Sequence, residues 1–141
     1  MRNMLSRFLL VFVLAPSLLM ATEKKPARNC CTSVAEKLSP KQVNALLDKT
    51  EPIQVPCCGH GLHIEGTIVL AIAVDADGEV TCVAMVLGHP LIIGSAIDSV
   101  RRWKFRPYVV NGLKKNFCGK VTLRYKATDA EVKYEVVQAP P

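Results

Sequence analysis

The chain has 141 residues, half of them hydrophobic, which allows one small domain with a modest core. Its formal net charge is +6, but the basic residues are scattered and do not alternate with stacking aromatics, so the pattern argues against nucleic-acid binding. Six cysteines favour an oxidising compartment, where an even number can pair completely in ways that the sequence does not rank.

The first 21 residues have the features of a secretory signal. An apolar run from Phe8 to Ala21 follows Arg2 and Arg7 and contains Pro16. The run is shorter than the ~20 uninterrupted apolar residues that a spanning helix needs. We therefore predict cleavage after Ala21 and export to the periplasm, with an uncleaved inner-membrane anchor as the alternative.

Residues 22–50 are predicted to form a flexible lead-in with one short helix. The segment is polar and basic up to Leu38 and carries Cys30 and Cys31. Ser39 and Pro40 then supply an N-cap and a first-turn proline, which predicts a helix from about Pro40 to Lys49. The domain proper is expected over residues 51–137, followed by a frayed tail at 138–141.

The core sequence begins at Ile64 with the alternation of a β-strand. Large apolar residues occupy every second position at Ile68, Leu70, Ile72 and Val74. The stretch Asp75–Gly78 predicts a hairpin turn, because Gly78 can take the positive φ that such a loop needs. A second strand from Glu79 to Leu87 should therefore pair antiparallel with the first.

A helix is predicted from about Leu91 to Trp103, and it ends in a Trp-x-Phe-x-Pro segment. Its apolar residues recur at spacings of three and four and should lie on the sheet. Trp103 and Phe105 should both enter the core, and Pro107 prevents the helix from continuing. Arg101 and Arg102 fit the negative end of the helix at the rim of the core.

A third strand is predicted from Phe117 to Tyr125, and Val132–Val136 could form a fourth at the edge. A right-handed crossover and antiparallel neighbours place the first strand between the second and third, giving the order 2-1-3. The predicted class is α+β, with a three- to four-stranded antiparallel sheet and a helix on one face.

This strand order limits how the cysteines can pair. Cys82 and Cys118 would lie two strand spacings apart, ~10 Å, beyond the reach of a disulfide. They should therefore not bond to each other. We expect instead that Cys30 or Cys31 pairs with Cys57 or Cys58.

The Asp-Gly hairpin, Gly88-His89-Pro90, and the segment from Arg101 to Pro107 together resemble the C-terminal domain of TonB, the energy transducer of Gram-negative envelopes. The resemblance covers about residues 52–126. Its structural motif comprises Gly78, Trp103, Phe105 and Pro107. It implies a protein-binding module without chemistry of its own and without a cofactor.

The resemblance also implies where a partner binds. In the family, an extended segment of an outer-membrane transporter adds to the free edge of the third strand, and edge strands have the unpaired backbone groups that this requires. By position, the receiving strand consists of Lys120, Val121, Thr122, Leu123, Arg124 and Tyr125. The Val132–Val136 segment could cover this edge when no partner is present, and a strand-exchanged homodimer is a further arrangement.

The chain lacks one feature of the family, a long Pro-rich spacer. Roughly 30 residues separate Ala21 from the domain, a flexible-coil span of only ~30 Å. We therefore do not expect this chain alone to be a working energy transducer, and predict a stand-alone periplasmic domain that binds a partner by strand addition and is associated with TonB-type energy transduction and transport.

One cluster offers a different function, a small exported metal-binding or redox protein. Cys57, Cys58, His60 and His63 supply ligand types for zinc or copper, but adjacent cysteines are not the usual Cys-x-x-Cys arrangement. Disulfides with solvent-exposed histidines are the competing interpretation.

No pattern points to catalysis. Ser95, Ser99 and His89 could be imagined as a nucleophile and a base, yet no third group is placed to orient them and no nucleophile elbow is present. We predict that the protein is not an enzyme.

Overall fold

The computed structural model of the protein describes residues 30–56 and 61–138. Over these ranges the chain forms two helices and nine strands. In chain order they are β1 (Glu36–Lys37), α1 (Pro40–Leu46), β2 (Leu47–Lys49), β3 (His63–Val74), β4 (Val80–Leu87), α2 (Pro90–Val100), β5 (Lys104–Phe105), β6 (Tyr108–Val110), β7 (Leu113–Lys115), β8 (Phe117–Thr128) and β9 (Val132–Val137).

The main sheet has five strands and is mixed. β3 lies between β4 and β8 and is antiparallel to both, while β9 runs antiparallel along the other side of β8. β1 pairs in parallel with the first residues of β8. The predicted α+β class is confirmed, but the sheet is not wholly antiparallel, because a two-residue strand such as β1 has no periodicity that a sequence can reveal.

The core lies between one face of this sheet and α2. The four predicted inward residues of β3, from Ile68 to Val74, are all buried. α2 packs Ile92, Ala96 and Val100 against them. Both helices end three residues earlier than predicted, and after α1 the chain enters β2, which pairs with β5.

The segment after α2 enters the core as predicted. Trp103 is completely buried and Phe105 is 4% exposed, while Arg101 and Arg102 remain at the surface. Gly78 meets this segment directly: its φ is +86°, and a Cβ there would collide with the carbonyl oxygen of Phe105. The backbone amide of Phe105 donates to the carbonyl of Gly78 at 3.0 Å. The hairpin turn and the aromatic segment are thus fitted to each other.

Two disulfides join Cys30 to Cys82 on β4 and Cys31 to Cys118 on β8. Both strand cysteines lie opposite Ala73 of the intervening β3, so the adjacent residues Cys30 and Cys31 cross the sheet on the face away from α2. We call this pair of bonds the cysteine strap. Cys82 and Cys118 do not bond to each other, as expected.

The prediction that Cys30 or Cys31 bonds to Cys57 or Cys58 is wrong, because Cys30 bonds to Cys82 and Cys31 to Cys118. Their partners come instead from β4 and β8, the two neighbours of β3, and the adjacent residues Cys30 and Cys31 each bond to one of these strands. Cys57 and Cys58 themselves lie outside the described residues. The lead-in from Cys30 onward is also packed against the domain, since Cys30, Leu38 and Val43 are buried.

Candidate partner-binding edge

The predicted receiving strand, Lys120 to Tyr125, lies in the middle of β8. Its inner side pairs with β3, from Lys120 opposite Ala71 to Tyr125 opposite Gly66. Side chains alternate along it: Val121, Leu123 and Tyr125 are buried on the core side, whereas Lys120 and Arg124 are exposed. The strand therefore combines a fixed inner side with a charged outer face.

The outer side of β8 has neighbours along most of its length. β9 pairs with Thr122 through Ala127, and β1 pairs with Phe117 and Cys118. Between them, Gly119 faces the start of α1, where a Cβ would meet Val43 Cγ2 at 2.5 Å and the carbonyl oxygen of Leu38 at 3.0 Å. A partner could pair with Thr122–Tyr125 only by taking the place of β9.

Three half-buried side chains of β9 pack against the core, Val132, Tyr134 and Val136, and Tyr134 makes two specific contacts. Its ring stacks on Trp103 with 6.1 Å between the ring centroids, and its hydroxyl donates to the carbonyl oxygen of Glu51 at 2.7 Å. Arg124 and Glu135 form an ion pair at 2.9 Å, but both side chains are largely exposed and such pairs contribute little. The side-chain anchoring of β9 therefore comes from apolar packing and the contacts of Tyr134 more than from this ion pair.

Glu51 also connects this anchor to the core. The Ser99 hydroxyl donates to the same Glu51 carbonyl at 2.5 Å and accepts a hydrogen bond from the Trp103 indole nitrogen at 3.3 Å. Ser99 and Trp103 are both completely buried. Sequence reasoning missed Glu51 and Tyr134, although a buried tryptophan N–H always requires an acceptor.

The turn before β9 is fixed at its start. Asp129 accepts hydrogen bonds from the backbone amides of Gly61 at 2.7 Å and Leu62 at 2.6 Å. The Thr128 amide donates to the carbonyl of Glu131 at 2.9 Å, which closes the turn. Detachment of β9 would therefore begin after Glu131.

Burial raises the pKa of the Tyr125 phenol above its ordinary value. This ring lies on the core side of the receiving strand, in contact with the position of Gly66 on β3. Tyr125 is therefore expected to stay neutral when a partner binds.

The candidate metal ligands are mostly beyond what the structure describes. Cys57, Cys58 and His60 fall in the gap between 56 and 61, and His63 is exposed at the start of β3. Within 30–56 and 61–138, no group of three or more His, Cys, Asp and Glu residues is arranged to hold a metal ion. The four strap cysteines are bonded in pairs and so offer no thiolates.

Part of the chain matches a known protein family. Residues 61–127 fit the family model described as Gram-negative bacterial TonB protein C-terminal. This segment belongs to the TonB C-terminal family. It spans just under half of the 141-residue chain, from the residues before β3 to the end of the β8 segment that pairs with β9. Searches of curated proteins and of solved structures gave no match.

The TonB C-terminal family is a non-enzymatic, envelope-associated one with a role in transport. β3, β4, α2 and all of β8 except Thr128 lie within the matched segment, whereas α1, the Cys30–Cys31 part of the strap and β9 lie outside it. Neither helix in the described part of the chain is long and apolar enough to cross a membrane.

Proposed function

We propose that this chain is a periplasmic TonB C-terminal-like domain that binds an extended segment of an envelope protein, such as an outer-membrane transporter, by strand addition to β8. In this proposal Lys120, Val121, Thr122, Leu123, Arg124 and Tyr125 form the receiving strand. The observation that carries it is the position of β9, a terminal six-residue strand on the edge that a partner would need.

β9 acts as an internal competitor in this proposal. An incoming strand replaces the backbone hydrogen bonds of β9 with equivalent bonds, so the ladder contributes nearly equally to both states. The difference comes from side chains, and two of the contacts involved are the Trp103–Tyr134 stack and the Tyr134–Glu51 hydrogen bond. Together these are worth about 2 kcal/mol, which would weaken a competing peptide roughly thirtyfold.

The decisive experiment compares the oxidised chain with a variant that lacks residues 131–141. This truncation removes β9 but keeps Asp129, whose carboxylate bonds to the amides of Gly61 and Leu62. Synthetic peptides from the periplasmic extended segments of TonB-dependent transporters serve as ligands, measured by calorimetry. We expect affinity to rise at least roughly tenfold on truncation.

Two controls separate strand addition from other binding. Tyr134→Ala should recover most of the gain, while Tyr134→Phe, which keeps the stack and loses the hydrogen bond to Glu51, should recover only part of it. A peptide N-methylated at alternate residues cannot donate to the ladder and should not bind the truncated chain. The absence of peptide binding in both chains, or equal affinity for the normal and methylated peptides, would refute the proposal.

A further inference from the structure

The edge of β8 that β9 covers ends at the lead-in. β9 pairs with Thr122–Ala127, and β1 pairs with Phe117 and Cys118. Among the described residues no strand pairs with this side of residues 119–121, where α1 packs against β8. A strand that takes the place of β9 therefore reaches α1 at the end that lies opposite Thr122.

α1 is held firmly at this position. Its capping box is complete, because the Ser39 hydroxyl accepts from the Gln42 amide at 3.4 Å and the Gln42 side chain accepts from the Ser39 amide at 2.9 Å. Val43 is completely buried, and the Leu38 amide donates to the carbonyl of Cys118 at 2.8 Å. The cysteine strap ties the preceding residues to the same part of β8. α1 therefore forms a fixed end to the receiving edge.

Asn44 is the side chain of α1 that meets the end of β9. Its Nδ2 donates to the carbonyl oxygen of Val137 at 3.4 Å. Val137 lies opposite Thr122, in the last pair of the ladder. The distance is longer than the usual range for an N–H···O bond, so β9 uses this donor only weakly.

The other half of the Asn44 amide has no partner. Its Oδ1 is buried, and it is the single buried side-chain oxygen or nitrogen without a hydrogen-bond partner in the described ranges. Buried polar atoms are nearly always paired, because an unpaired one costs free energy. Asn44 therefore presents a weakly used donor and an unused acceptor to the end of the strand that lies on β8.

We propose that Asn44 is a specificity-determining residue of the receiving edge, which binds the backbone of the partner strand where that strand reaches α1. This rests on the proposed function, the addition of a strand to β8. Nδ2 donates to a backbone carbonyl and Oδ1 accepts from a backbone N–H, since one side-chain amide offers both a donor and an acceptor.

This contact selects where the partner strand ends and not which side chains it carries. Every residue has a backbone carbonyl and every residue except proline has an N–H, so Asn44 distinguishes positions along the strand. A strand that follows the path of β9 forms six pairs, from Ala127 to Thr122, before it reaches Asn44. α1 lies outside residues 61–127, so this determinant belongs to the part of the chain that the family model does not match.

The test is calorimetry with synthetic peptides from the extended segments of TonB-dependent transporters, shortened by one residue at a time from each end. The oxidised full chain and the chain without residues 131–141 are both measured. For each chain, affinities are expressed relative to the shortest peptide that still binds, so that competition from β9 cancels. In Asn44→Ala the relative affinity of peptides that reach α1 should fall at least about fivefold, whereas that of shorter peptides should be unchanged.

Two further variants separate this contact from a general effect on the helix. Gln42→Ala is the matched control, because it weakens the capping box of α1 and leaves the contact with the end of β9 in place. It should not change the relative affinities. Asn44→Asp keeps the size of the side chain and replaces its donor by an acceptor, so it should weaken the long peptides as alanine does.

Three outcomes would overturn the role of Asn44 and leave strand addition intact. They are no loss of affinity in either Asn44 variant, a loss that is the same for peptides of every length, and an equal loss in Gln42→Ala. If no peptide binds to either chain, strand addition itself is refuted and the role of Asn44 with it.

Discussion

The cysteine strap gives the sharpest stability prediction. Cys30–Cys82 and Cys31–Cys118 span 52 and 87 residues of sequence. Taken separately, loops of these lengths predict unequal stabilisation, with the longer loop worth more. Because Cys30 and Cys31 are adjacent, however, either bond alone already brings one strand cysteine to the lead-in.

The two bonds should therefore contribute equally when removed singly. Once either bond has formed, the remaining bond closes a loop that consists essentially of the segment from Cys82 to Cys118. This holds for both bonds. A loop of that length predicts a loss of about 4 kcal/mol for Cys30→Ala/Cys82→Ala and the same for Cys31→Ala/Cys118→Ala. Loss of both should cost about 8 kcal/mol, enough to unfold most domains of this size.

The measurement is urea unfolding of the three variants beside the parent chain. Replacing both cysteines of a pair leaves no new thiol to exchange with Cys57 or Cys58. Burial of Cys118 makes alanine the proper substitute, because a hydroxyl there would lack an obvious partner. Single-pair losses below about 1 kcal/mol, or losses that differ between the pairs by more than about 2 kcal/mol, would refute this reasoning.

Three further predictions concern single positions. Gly78→Ala should destabilise the fold by about 3 kcal/mol or more in urea unfolding, since residue 78 has a positive φ and an added Cβ would collide with the backbone of Phe105. Gly94→Ala, at a position in open space on α2, should instead stabilise the fold by up to about 1 kcal/mol. Equal effects of the two substitutions would contradict this reasoning. Ser99→Ala should cost about 1–3 kcal/mol because the buried Trp103 N–H loses its acceptor, and an unchanged unfolding midpoint would argue against that bond. Burial raises the pKa of Tyr125 above its unfolded value of about 10, so the folded state disfavours the ionised phenol and stability falls as the pH rises from about 10 through the folded pKa. Tyr125→Phe should therefore flatten this alkaline decline in stability, and identical profiles would refute the reasoning.

Local patterns were sufficient to predict the central elements. The period of two in β3 identified its buried face, and the Asp-Gly turn identified the hairpin, because both signals depend on neighbouring residues alone. The aromatic segment after α2 was correctly placed in the core. These elements lie within the part of the chain that matches the TonB C-terminal family.

The features that sequence missed all depend on distant partners. β1 has only two residues, and it forms because the strap holds the lead-in beside β8. Leu47 leaves the helical pattern because β5 offers it a strand partner. The role of Tyr134 requires Trp103 and Glu51, which are far from it in the chain. Contacts between residues so far apart in the chain produce no local periodicity from which they could be predicted.

The edges of the sheet illustrate which aspects of function cannot be predicted from the sequence. The charges of β9 and the uncharged composition of β4 are both visible in the sequence. The family resemblance points to β8 as the receiving edge. In the proposed function, β9 covers β8, so the availability of β8 to a partner depends on the free energy that retains β9, to which the stack and the hydrogen bond of Tyr134 contribute about 2 kcal/mol. Both of these contacts are made by Tyr134, and for that reason the Tyr134→Ala and Tyr134→Phe pair tests the mechanism more directly than truncation does.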